Sequence, residues 1–60
     1  MKGYRITYAL TREDENIYTA IIEAQGMSDA SSTAKVYIDE QHGFLTFNTL
    51  AAISILELKD

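Results

Sequence analysis

Two alternating runs separated by a polar break commit the first 24 residues of this chain to a β-hairpin. Tyr4, Ile6, Tyr8 and Leu10 alternate with Arg5, Thr7 and Ala9. A period of two built from β-branched and aromatic residues is the pattern of a half-buried strand. Thr11-Arg12-Glu13-Asp14-Glu15-Asn16 follows, six polar residues that read as the hairpin loop. Ile17 to Ala24 returns as a second strand. One of its faces, Tyr18, Ala20, Ile22 and Ala24, is wholly apolar and is expected to meet the core. The other, Ile17, Thr19, Ile21 and Glu23, is only partly polar.

Gly26 ends that strand. Ser28 is expected to cap a helix, because its hydroxyl can accept a free backbone N–H, and Asp29 complements the positive end of the helix dipole. The helix is expected to run to about His42, with Ala30, Ala34, Tyr37, Ile38 and Gln41 on one stripe at helical spacing. Val36 falls off that stripe. Ser31, Ser32 and Thr33 are poor helix formers, so this helix must lean on tertiary contacts. His42 in the last turn and Gly43 as a left-handed cap form the stop signal. Beyond it, Phe44-Leu45-Thr46-Phe47 reads as a short strand, Asn48-Thr49 as a turn, and Ile53 to Lys59 as a closing strand. The order β-β-α-β-β predicts a single α+β domain over residues 1–60: an antiparallel four-stranded sheet with one helix packed on one face. Ile22, Tyr37 and Ile55 are the expected core.

One helix covers one face of a sheet. Ile17 and Ile21 lie opposite Tyr18 and Ile22, and Leu56 and Leu58 lie opposite Ile53 and Ile55, so apolar residues are left on the uncovered side. Either the sheet curls around its helix or a second molecule covers this face. Size sharpens the choice. Sixty residues without a cysteine bury a modest core and have no disulfide to brace it. Self-association, or docking on a partner, is the remaining reinforcement.

The apolar fraction of 47% is that of a folded chain. Nine acidic groups against five basic ones, net −4, speak against a nucleic-acid groove binder and suit solubility or a positively charged partner. No apolar export segment follows Met1-Lys2, and the apolar-rich stretch Phe44 to Leu58 is interrupted and too short for a bilayer span of roughly 20 residues. The cytoplasm is the expected compartment, with no membrane partner.

Chemistry finds few candidates. His42 is the one histidine, and its place at the helix end reads as a cap or dipole-complementing residue. Glu13, Asp14 and Glu15 lack the glycine-centred pattern of a calcium loop and read as a solvated hairpin tip. Gly3, Gly26 and Gly43 are too far apart for a phosphate loop. The four tyrosines could stack on single-stranded nucleic acid, but two of them sit on expected core faces. The carboxylates Glu13, Asp14, Glu15, Asp39, Glu40 and Glu57 could mimic a nucleic-acid backbone, though at lower charge density than such mimicry needs. No catalytic residue, cofactor or metal is expected.

The strand Tyr18-Thr19-Ala20-Ile21-Ile22-Glu23-Ala24, the helix start Met27-Ser28-Asp29-Ala30 and the return Gly43-Phe44-Leu45-Thr46-Phe47 with its closing strand resemble small phage and prophage proteins. The likeness covers roughly residues 17 to 58 and is to β-β-α-β-β inhibitors of host enzymes, anti-CRISPR proteins among them. It implies a protein that blocks a host defence or transcription complex by occupying its surface, in the host cytoplasm. The expected function is thus a non-enzymatic modulator that binds a larger cytoplasmic protein. The expected contact residues are Glu13, Asp14, Glu15, Ile17, Ile21, Leu56 and Leu58. A structural homodimer is the alternative, and a nucleic-acid-binding module comes third.

Overall fold

The computed structural model describes residues 1–13 and 16–59. Its first strand, β1 (Lys2–Ala9), pairs antiparallel with β2 (Tyr18–Ala24), with Tyr4 opposite Ile22, Ile6 opposite Ala20 and Tyr8 opposite Tyr18. The helix α1 (Met27–His42) then crosses the sheet, and the last strand, β3 (Ala52–Glu57), pairs antiparallel with the other edge of β1. The strand order is β2-β1-β3, so β1 is central and each of its neighbours is an edge. Sixteen residues of helix extend for about 24 Å, close to the length of an eight-residue strand, and α1 shares one core with Tyr4, Ile6 and Tyr8 of β1.

The sheet has three strands where the sequence predicts four. Phe44–Phe47 is not a strand: residues 44–46 form a turn, which leads into a 3-10 helix over Phe47–Thr49. The reason lies in its backbone bonds. Thr46 N–H donates to Gly43 C=O, Asn48 N–H to Leu45 C=O and Thr49 N–H to Thr46 C=O, so the groups a ladder needs are spent locally. Phe47 N–H donates to the Asp39 carboxylate at 2.9 Å. Leu45 sits at φ 69, a left-handed conformation that no strand accommodates.

The helix also starts earlier than expected. Gly26 is its N-cap and Ser28 lies inside the first turn. Asp29 supplies the side-chain bond instead, its carboxylate accepting the Gln25 N–H at 3.0 Å. Gly43 ends the helix at φ 123, a region that suits glycine, and its N–H donates to Asp39 C=O.

Tyr4, Ile6 and Ile38 are fully buried, joined by Tyr8, Ile22, Ala24, Ala30 and Ala34. The alanines matter because they let the helix approach the sheet closely, so that the large β1 side chains fill the gap. Ile22 is core as expected, whereas Tyr37 and Ile55 are half-buried and pack on the core's rim. Gln41 and Val36 are exposed.

Candidate functional site

The face of the sheet turned away from α1 is open over most of its length, with Ala9 buried at one end, and register alone defines its composition. β1 contributes Gly3, Arg5, Thr7 and Ala9; these pair across the ladders with Glu23, Ile21 and Thr19 of β2 and with Leu56, Ser54 and Ala52 of β3. The middle row is Ile21–Arg5–Leu56. Ile21 is 59% exposed and Leu56 52%, and Ile17, just before β2, is 62% exposed. The sheet therefore does not curl enough to hide them.

Leu58 belongs to the same face by a different route. Its N–H donates to Gly3 C=O at 2.8 Å, which carries the β1–β3 ladder past the end of β3. Its side chain then lies over Gly3, with Cδ1 3.7 Å from the point where a β-carbon on that glycine would sit. Leu58 is half-buried as a result. The structure thus brings Ile17, Ile21, Leu56 and Leu58 together on one side of the molecule. Of the acidic run, Glu13 is exposed in the loop after β1, and Asp14 and Glu15 lie outside the described residues.

The electrostatics of this face differ from those of the whole chain. Of the strand residues that point to it, Arg5 and Glu23 alone are charged, so it is neutral on a molecule of net charge −4. Neither enters an ion pair among the described residues; the pairs present are Lys2–Glu57 at 3.3 Å and Lys35–Asp39 at 3.0 Å. Arg5 carries no weight in the sequence reading, where it is one polar residue of an alternation. Its place between two exposed aliphatics needs the β2 and β3 registers together.

A second exposed apolar feature lies at the end of α1. Phe44 is 86% exposed on the turn after Gly43, beside the strained Leu45. Asp39 holds this turn through the Phe47 N–H, and that bond is the chief cause that draws its carboxyl below the ordinary aspartate value, with Lys35 adding to it. Assignment of residues 44–47 to a strand hides this feature from the sequence.

His42 is not a site residue but an anchor. Its Nε2 lies 2.7 Å from the Tyr8 hydroxyl, and its ring meets Tyr8 and Tyr18 edge-on, while the two tyrosines stack on each other at 5.4 Å. Burial, then Tyr37 and Tyr18, pushes the Tyr8 hydroxyl to a higher pKa, so it stays protonated in this contact. Tyr4, its pKa raised chiefly by burial and also by its bond to Glu57, donates to that carboxylate at 3.2 Å. Tyr4 and Tyr8 are in the core and Tyr18 and Tyr37 at its rim, which leaves no row of tyrosine faces open for stacked bases.

Among the described residues there is no pocket, no cluster of three His, Cys, Asp or Glu side chains, and no helix long and apolar enough to cross a membrane. Compared with protein-family models, with curated proteins and with solved structures, the chain matches none.

Proposed function

We propose that this chain is a non-enzymatic protein-binding domain that acts by laying the open face of its sheet on another protein surface. The observation that carries this reading is the row Ile21–Arg5–Leu56, with Ile17 and Leu58 at its margins, uncovered and on one side. Apolar side chains gathered on a flat surface gain about 25 cal/mol for each Å² they bury, and aliphatics around an arginine are a composition that protein interfaces favour. The blocking role implied by the likeness to phage inhibitors would lay such a face on a larger host protein, and the structural alternative would lay it on a second copy of the chain; neither needs chemistry of its own. The cytoplasm is the compartment we propose, in keeping with a chain that carries no cysteine.

The test is substitution on the open face with the helix side left intact. Leu56→Glu and Ile21→Glu should each weaken association with a protein partner at least about tenfold, the loss of one buried aliphatic plus the burial of an unpaired charge. Far-ultraviolet circular dichroism should stay as in the parent, because both side chains are exposed. Retention of every association by both folded variants would overturn the reading.

A further inference from the structure

We infer that the protein laid on this face is a second copy of the same chain, joined by a two-fold axis that sets Arg5 of each copy against Glu23 of the other. This rests on the docking reading above and names its occupant. In a two-fold interface the same patch meets itself, so a contact between two different residues occurs twice. Charges on such a face are met by the other copy when they come in opposite couples with no ion pair of their own. The open face carries one such couple: one cation, one carboxylate, no ion pair to either among the described residues, and no other charge on its strands.

Register gives the geometry. Arg5 stands opposite Ile21, and Glu23 stands two residues further along β2, opposite Gly3. The two charges are diagonal neighbours rather than a facing pair. On a flat sheet with strands about 4.8 Å apart and residues about 3.3 Å apart along them, the line that bisects Arg5 and Glu23 passes within about 2 Å of Ile21 and of Leu58. A two-fold axis along that line exchanges the charges and lays Ile21 on Ile21 and Leu58 on Leu58. The centred alternative, an axis along β1, would set Arg5 against Arg5 of the other copy. This placement pairs the charges and also lays aliphatics against themselves.

Charge over the whole molecule points the same way. Two chains of net charge −4 repel over most of their surface, and the open face adds no excess of either sign to that repulsion. A basic partner surface would be drawn to the acidic side of the molecule and not to this neutral one.

Charge reversal with cross-mixing tests this directly. Sedimentation velocity of the parent from about 10 μM to about 1 mM, the range in which a small interface associates, should show a monomer going to a dimer. Arg5→Glu alone sets carboxylate against carboxylate across the interface, and Glu23→Arg alone sets cation against cation; each should weaken dimerisation at least about tenfold. An equimolar mixture of the two variants should regain the dimer, because every cross-contact is then a cation against a carboxylate. The doubly reversed chain should regain it as well. A parent that stays monomeric throughout, a dimer indifferent to both single reversals, or single variants that fail to rescue each other would each overturn the proposal; the second outcome would move the contact to a strand edge. The wider docking reading fails separately. If the parent is monomeric but Leu56→Glu still abolishes its retention of a larger protein, the face is a foreign-partner site.

Discussion

Asp39 ties the last turns of the helix to the loop that follows, through Phe47 N–H on one oxygen and Lys35 on the other. Its carboxyl titrates below the ordinary value of 3.8 when folded, so the folded state favours the charged form. Its contribution to stability is therefore complete above the unfolded value and is lost as pH falls through the lower folded one. Asp39→Asn keeps an acceptor for Phe47 but loses the charge. It should melt below the parent at neutral pH, and the gap should close as both are acidified toward about pH 2. Thermal melts across that range decide it; a gap independent of pH would remove the carboxylate charge from the account. Leu45 offers the converse case. At φ 69 a leucine bears strain of about 1–2 kcal/mol, so Leu45→Gly should hold or raise the melting temperature, and Leu45→Val should lower it. Ile22, buried against Tyr4 and the helix, has no such latitude: Ile22→Ala should cost about 2–5 kcal/mol in denaturant unfolding.

At the scale of elements, the helix is held at both ends by different means. Its start has Gly26 and the Asp29 carboxylate; its end has Gly43, Asp39 and the bond between His42 and Tyr8. Alternation alone places Tyr8 on the core face, and helical spacing alone places His42 in the last turn. Their contact is not local, being 34 residues apart in sequence. Tyr8→Phe keeps the ring stack on Tyr18 and removes the hydroxyl. It should cost about 1–3 kcal/mol, the penalty for a half-buried ring nitrogen left without its partner. Chemical denaturation measures it, and a neutral result would show that His42 finds water instead. The segment 44–47 fails as a strand at this same scale. Phe-Leu-Thr-Phe has the composition of one, but its backbone groups bond within the turn, and the Asp39 carboxylate claims the Phe47 N–H.

For the whole molecule, one helix covers the inner face of β1 and much of β2, reaches only Ile55 of β3, and leaves the opposite face of the sheet to solvent or to a partner. A dimer on that face should show a melting temperature that rises with protein concentration. Ile21→Glu, beside the two-fold axis, should abolish the concentration dependence while lowering the melting temperature only modestly, since Ile21 contributes little to the core of its own chain. A parent melt that does not move over a hundredfold dilution would set the dimer aside.

Period two along residues 4–10 and 17–24, and helical spacing from Ala30 to Ile38, were legible because a side chain's direction depends on the backbone within a turn or two of it. The hairpin, the helix, the closing strand and the two faces that separate Ile21 and Leu56 from Ile22 and Ile55 all follow from that local geometry. The count and order of the strands do not. A strand exists only where another offers its backbone groups, and that offer comes from residues remote in sequence, as when Ile55 meets Ile6 and Leu56 meets Arg5. Tertiary structure therefore decided that β1 is central, that residues 44–49 coil against Asp39, and that one arginine and one glutamate stand diagonally on a neutral face.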